Sequence, residues 1–330
     1  MNILVTGGTG YIGDYFVPLL LEKGHNVRLL VRNKEKAQKI FGDRCEYFVG
    51  DVTDKASLKN CCDGIDIVYH MVAKVGNELP NEENFKEFRL VNVNGTQNMV
   101  KEAKRSSVKR FVYISSIAAM GIVKDDVISE TSKCNPYLPY QVTKYEAERY
   151  LLKEYKENKF PCVILRPTKV YGIGEHEYSN LMYAKICKKG IFPLICVTKG
   201  YNSNIYITDF ARALEISGHN GKCGEIYIIT TEKSISLKEI VGVISKVMDK
   251  KVRFMYVPKV CMIAMAFLIE RVCILFKKRP PVTMKNIEAM SNNRVYDVTK
   301  AKEELNFEAK VTMQEGISKV VNWYLEKNIL

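Results

Sequence analysis

The 330 residues predict a doubly wound parallel α/β sheet with a smaller α/β region interleaved with it. Three observations carry that prediction. The chain opens on an apolar strand that runs into a glycine-spaced turn and a helix, apolar runs then alternate with helical stretches, and the spacing turns irregular after Gly172. In the opening ILVTGGTGYIG, the strand ends at Val5 and hands over Thr6, Gly7, Gly10 and Gly13 in the pattern TGxxGxxG. A helix from about Tyr11 then points its free N-terminal amides, those of Tyr11, Ile12 and Gly13, at whatever anion sits on the turn, and Gly24 closes it. The spacing is that of a dinucleotide pyrophosphate site: Gly7 for the tight turn, Gly10 for backbone contact with the phosphates, Gly13 for close packing of helix on strand.

The following elements keep the alternation. NVRLLVR, CEYFVGD, IDIVYHM, KRFVYISS and PCVILRP are short apolar runs that read as strands, and residues 34–41, 56–62, 83–104 and 140–158 carry helical spacing between them. Right-handed crossovers of this kind build a parallel sheet covered on both faces, a Rossmann-type domain over residues 1–172. Residues 173–330 are expected to form a substrate-binding region, with about 204–230 returning to the sheet. Two capping boxes, Ser236 with Glu239 and Thr312 with Glu315, mark helix starts within it.

Composition narrows the function. A hydrophobic content of 47% supports a large core, and ten cysteines without a CxxC pair suit reduced thiols rather than zinc or a disulfide framework. Because the first strand begins at once, no cleavable signal is expected and the setting reads as cytoplasmic. Fifty Lys and Arg against 37 Asp and Glu give a formal charge of +13, suited to an anionic cofactor or membrane. Nucleic acid is not expected, since no basic run is interleaved with aromatics.

A tyrosine serves as acid or base near neutral pH only if its pKa falls from about 10, and a lysine one helical turn away achieves this. YQVTK places Tyr140 and Lys144 on one helix face. The same spacing occurs at Tyr155 with Lys159 and at Tyr296 with Lys300, so position must choose. Only Tyr140 opens a helix shortly after a strand whose carboxyl end carries Ser115 and Ser116, and ligands of such folds bind at carboxyl ends.

TGGTGYIG, GDVTD, HMVA, NVNGT, YISSIAAMG, YQVTK, LRPTKVYG, IYITDFARA and YDVTKAKEELNF follow one another along nearly the whole chain. In this order they resemble the extended short-chain dehydrogenase/reductases. The resemblance implies that Tyr140 is the general acid/base, Lys144 its pKa-lowering partner and ribose ligand, and Ser116, five residues before Gly121, the hydroxyl that orients the substrate carbonyl. Asn92 matches the family's helix asparagine, with a helix-kinking polar residue as the alternative. Asp51 and Val52 of GDV look like adenine contacts, Ala73 the small residue behind the cofactor backbone, and Pro167 with Thr168 further cofactor contacts. His70 reads equally as a satisfied strand-end histidine or a ligand group, and no metal is expected because it has no second ligand nearby.

At the end of the second strand Arg32 stands where an NAD-preferring enzyme places an acid, which favours NADP(H) with NAD(H) as the alternative. Lys169, Ser203 and Asn204 depart from the nucleotide-sugar branch of the resemblance, where an asparagine and an arginine hold the diphosphate. The apolar stretch 258–279 is instead similar to a helix of the branch containing 3β-hydroxysteroid dehydrogenases and dihydroflavonol reductases. Broken by Glu270 and Arg271, it is too short to span a bilayer and reads first as a buried helix of the substrate region. The sharper alternative is an apolar face that lines a lipid-like pocket or rests on a membrane, with Lys277, Lys278 and Arg279 at the headgroups. The expected activity is alcohol–ketone interconversion on a hydrophobic small molecule. A nucleotide-sugar epimerase or dehydratase and a cofactor-binding protein without turnover are the alternatives. Helices 83–104 and 140–158 resemble the pair through which the family dimerises, so a homodimer is expected.

Overall fold

A computed structural model describes residues 1–175, 179–196, 200–276, 284 and 294–330. Lys277, Lys278 and Arg279 lie outside the described residues. Six strands of the first half, β1 (Asn2–Thr6), β2 (Asn26–Val31), β3 (Glu46–Val49), β4 (Ile67–His70), β5 (Arg110–Ile114) and β6 (Cys162–Pro167), join Ile226–Ile229 in one seven-stranded sheet. Its order, Ile226–Ile229, β6, β5, β4, β1, β2, β3, is parallel throughout. Thr6 pairs with His70, His70 with Tyr113, and Ile114 with Leu165, so the carboxyl ends of the central strands finish level. Strand order reverses between β1 and β4, and the crevice outside the carboxyl ends there is where this architecture binds ligands.

Alternation along β1 builds a core on each face. Ile3 and Val5 point to one side, with Phe16, Val17 and Leu20 of α1 (Gly13–Glu22) and Phe210 and Leu214 of the helix Ile207–Asn220. Leu4 points to the other, with Met99, Val100 and Ala103 of one helix and Ala147 and Leu151 of another. Complete burial of a side chain of this size stabilises by about 1.5–3 kcal/mol.

The crossovers are largely those expected, with two physical differences. α2 spans Lys34–Phe41, capped by the Asn33 side chain, but residues 56–62 make only a 3-10 turn, Ala56–Leu58. The 83–104 helix is α3 (Glu82–Arg89) and α4 (Gly95–Arg105), joined by a π-helical turn at Leu90–Asn94. Such turns insert one residue into a helix and concentrate at functional sites. α5 covers Pro139–Asn158, with proline in its first turn.

Beyond Gly172 a third core gathers Tyr171, Phe192, Ile240, Val241, Ile317, Val320 and Tyr324. Both capping boxes form, starting the helices Leu237–Val247 and Met313–Glu326. The segment expected to return to the main sheet divides. Ile226–Ile229 pairs with β6, whereas Asn204–Tyr206 pairs with Lys169–Tyr171 in a separate two-stranded ladder. Residues 259–275 are helical but not buried: Val260, Met265, Leu268, Val272 and Leu275 are exposed and Ala266 alone in this helix is nearly inaccessible among its described side chains. Apolar residues stand all round this helix, so one packing surface cannot cover them. Among the described residues no helix is long and apolar enough to cross a membrane.

Candidate active site

Glycine geometry shapes the cofactor cradle. Gly7 holds φ +74°, a conformation L side chains rarely adopt, and a Cβ there would crowd the Val72 amide at 3.1 Å. At Gly13 a Cβ would lie 2.0 Å from the Gly8 carbonyl oxygen, so α1 can approach the turn only because this residue has no side chain. Gly10 differs: its Cβ would meet nothing in the protein closer than 3.4 Å. The missing side chain at Gly10 thus leaves room on the outer surface of the turn rather than inside the fold. Helix geometry starts with the Asp14 amide donating to the Gly10 carbonyl, while the regular helix begins at Gly13, two residues later than expected. Tyr11 and Ile12 turn their side chains into the third core, so they can face a phosphate only through their backbone. Bare turn, helix N-terminus and open outer face together fit a dinucleotide.

The far end of the cradle lies at β2 and β3. Arg32, with its side chain 83% exposed, stands 4.0 Å from Asp51. Partial burial raises the Asp51 pKa, but hydrogen bonds from the Thr53 amide and hydroxyl, with Arg32 nearby, outweigh it and the net shift is downward. Val52 packs its side chain under Gly95 and accepts from Asn98 through its carbonyl. Ala73 follows β4, half-buried. Pro167 and Thr168 close β6, where the Thr168 hydroxyl donates to that of Thr230 at 2.9 Å.

The two neighbouring serines part company. The Ser115 hydroxyl donates to Glu148 at 2.5 Å, and Glu148 holds Arg166 through two bonds of 2.9 and 2.7 Å, all three residues being buried. Ser116 instead caps the short 3-10 helix Ile117–Met120, its Oγ accepting from the Ala118 amide at 3.1 Å, and so keeps its proton for another acceptor. Gly121 ends that helix at φ +68°, against Asn135, so closely that a Cβ would meet the Asn135 carbonyl oxygen at 2.0 Å. The loop thus turned leads to Pro139 and puts Tyr140 in the first turn of α5.

Lys144 is fully buried, a demanding position for an ammonium. Its Nζ donates to the Ile114 carbonyl at 2.5 Å and lies 4.3 Å from the centroid of the Tyr113 ring. Desolvation lowers its pKa to about 7, against the opposing pull of Glu148 one turn further along α5. The competing pairs stand elsewhere. Tyr155 and Lys159 finish α5, and Lys300 is paired with Glu225 while Tyr296 is buried against Ile128.

Asn92 occupies the π-turn, where its carboxamide accepts from the Lys74 amide at 2.7 Å and donates to the Lys74 carbonyl and the Thr143 hydroxyl, both at 3.0 Å. It thereby ties the loop after β4 to α5. His70 is the satisfied strand-end histidine. The Thr96 hydroxyl donates to the Asn92 carbonyl and so accepts from His70 Nε2, which leaves Nδ1 to accept from the Thr6 hydroxyl at 2.9 Å. Thr6 Oγ1 in turn accepts from the Met71 and Val72 amides. Burial, helped by Lys144, lowers the His70 pKa to about 3, which keeps the ring neutral.

Hydrogen bonds run from Thr6 through His70 and Thr96 to Asn92, from Asn92 to Thr143 of α5, and from Lys144 to Ile114 of β5, so the carboxyl ends of β1, β4 and β5, the π-turn and the start of α5, with Ser116 and Tyr140, meet in one region. Two residues with a part in it were missed in the sequence, Glu148 and Arg166. The signal was present in the spacing, since Glu148 lies four residues after Lys144 and shares its helix face.

Fold and site define a dinucleotide-binding α/β protein. The chain belongs to the NAD dependent epimerase/dehydratase family, whose sequence profile matches residues 3–230. Among curated proteins it is similar to a 4-hydroxy-2-methyl-3-oxo-4-farnesyl-3,4-dihydroquinoline-1-oxide ketoreductase of Stigmatella aurantiaca, 24% identical over 96% of this chain and 95% of that one. It is equally similar in extent to the human dTDP-D-glucose 4,6-dehydratase, 27% identical over 98% of this chain and 90% of that one. Among solved structures, the dTDP-glucose 4,6-dehydratase DesIV of Streptomyces venezuelae, with NAD and TYD bound, superposes with a TM-score of 0.75 at 22% identity, covering 99% and 98% of the two chains.

Proposed function

We propose that the protein is an NADP(H)-dependent oxidoreductase that interconverts a secondary alcohol and a ketone on a hydrophobic or alicyclic small molecule. The buried Lys144, anchored on β5 one helical turn from Tyr140, carries this reading. A nicotinamide cofactor bound in the cradle supplies or accepts the hydride. Tyr140 moves the proton of the substrate oxygen, Lys144 as an ammonium holds the phenolate form down in energy, and the Ser116 hydroxyl donates to the same oxygen. Asn92 keeps the Lys74 loop and Thr143 in place around them. Arg32 is the group for a 2′-phosphate, with Lys34 and Lys36 in the following helix adding positive charge.

Several relatives and solved structures with nucleotide-sugar dehydratase or epimerase names favour the nucleotide-sugar reading, and the site weighs against it. Ser203, standing where that branch has its arginine, is buried between the Ser234 hydroxyl and the Arg294 carbonyl and offers a diphosphate no charge. A cofactor-loaded screen of ketones, sterols and sugar nucleotides, followed in the absorbance of the reduced nicotinamide, tests the choice. Net cofactor oxidation with ketones, lost in Tyr140→Phe, supports the proposal; sugar-nucleotide conversion without net absorbance change overturns it.

Two partners belong to the same proposal. The exposed apolar residues of Lys259–Leu275 give the protein a face for a lipid-like substrate or an anionic membrane, and flotation with anionic liposomes tests the membrane contact. α3 with α4 and α5, tied by the Arg89–Glu146 ion pair at 2.7 Å, provide the surface for a homodimer, which sedimentation measures.

A further inference from the structure

On the edge of the molecule opposite the cradle, where the strands begin, two of the chain's four histidines meet a buried carboxylate. His25 precedes β2, and Glu215 and His219 stand one turn apart on the helix Ile207–Asn220, so they share a face. One ligand atom from each of the three lies within 4.8 Å of the others. The imidazoles stack with centroids 6.1 Å apart, and His219 Nε2 is 3.5 Å from Glu215 Oε1.

The backbone presents His25 firmly. α1 ends with Gly24 at φ +76°, its amide donating to Leu21 and that of His25 to Leu20, the paired bonds of a Schellman closure. Two nitrogens and one carboxylate oxygen form a donor set suited to borderline ions and poorly suited to calcium or magnesium.

We infer that His25, Glu215 and His219 form a binding site for a divalent first-row transition ion, with Zn²⁺ the best match. Zinc bonds of about 2.0–2.2 Å require the three atoms to close up by about an ångström, which rotation of the incompletely buried rings supplies. Two cations compete for the site, the N-terminal amine 3.5 Å from His25 Nδ1 and, beside Glu215, Lys23. Its ammonium sits 2.8 Å from Glu215 Oε1, yet its side chain is 47% exposed and can swing into water when the ion arrives. Bound metal would link the turn after α1 to a helix about 190 residues later in the chain, stapling two elements that pack on the same face of the sheet. The site is separate from the cofactor cradle and independent of the proposed reaction.

Untagged full-length protein titrated with ZnCl₂ by calorimetry, with Co²⁺ spectra to separate nitrogen–oxygen from thiolate ligation, tests the inference. We expect one equivalent bound without a thiolate charge-transfer band and a rise in melting temperature of roughly 3–6 °C at a hundredfold excess over Kd. Affinity should fall at least tenfold in His25→Ala and in His219→Gln, and should rise severalfold in Lys23→Ala, whose competing cation is gone. Metal-free melting curves confirm that each variant is folded. Unchanged zinc affinity in the His25→Ala/His219→Gln double variant, or a Lys23→Ala variant that binds no more tightly, overturns it.

Discussion

Replacing Lys144 by methionine is expected to stabilise the cofactor-free protein while abolishing turnover. Burial of this ammonium lowers its pKa from 10.5 to about 7, and at about 1.4 kcal/mol per unit the charged form costs the fold roughly 5 kcal/mol. Methionine removes that cost but forfeits the bond to the Ile114 carbonyl and the contact with the Tyr113 ring, together worth about 2–4 kcal/mol. The variant should therefore gain about 1–3 kcal/mol near pH 7. Between the folded and unfolded pKa values the unfolded chain holds the proton that the native chain has lost, so native stability rises with pH. Wild type should accordingly gain on Lys144→Met by about 1.4 kcal/mol per unit from just above pH 7 towards pH 10 and overtake it. Urea denaturation of both proteins at several pH values, read as the difference between them, isolates this group. A difference independent of pH, or a variant less stable than wild type at pH 7, would refute the account of a desolvated ammonium held for chemistry at the expense of stability.

Three further outcomes follow from the geometry. Gly13→Ala should destabilise by at least about 3 kcal/mol in thermal denaturation because its Cβ has no space, whereas Gly10→Ala should fold normally and weaken cofactor binding at least tenfold by fluorescence titration. Ser116→Ala should fold and lose about a hundredfold or more in kcat, while Ser115→Ala should cost about 1–2 kcal/mol of stability through Glu148 with activity within tenfold of wild type; the reverse pattern would make Ser115 the acting hydroxyl. Arg32→Asp should reverse a preference for NADP(H) over NAD(H) in kcat/KM, and equal use of both cofactors by both proteins would remove Arg32 from the recognition.

Local patterns proved readable wherever neighbours in sequence remain neighbours in space. TGxxGxxG, the apolar strand runs, the two capping boxes and the Tyr140–Lys144 spacing are all of this kind, because turns, caps and helix faces are decided within a few residues. Helical spacing runs unbroken through the π-turn at Leu90–Asn94, since only the carboxamide of Asn92 reaching Lys74 and Thr143 gives the extra residue its purpose. The apolar stretch 258–279 reads first as a buried helix, with an open apolar face as the alternative, and the exposure of residues 259–275 departs from the first because apolar content says nothing of what covers it.

The amino-acid order alone determined the class of fold, the cofactor turn and the side-chain types available for proton transfer. Tertiary structure decided their use: it turned Ser115 inward to Glu148 and left Ser116 as a helix cap, made His70 a neutral strut, and paired Arg166 with Glu148, whose charge acts on Lys144. It also gathered His25, Glu215 and His219 from distant parts of the chain. The reason is physical. Desolvation, charge pairing and hydrogen-bond direction depend on distances through space, and those exist only once the sheet has brought remote residues together.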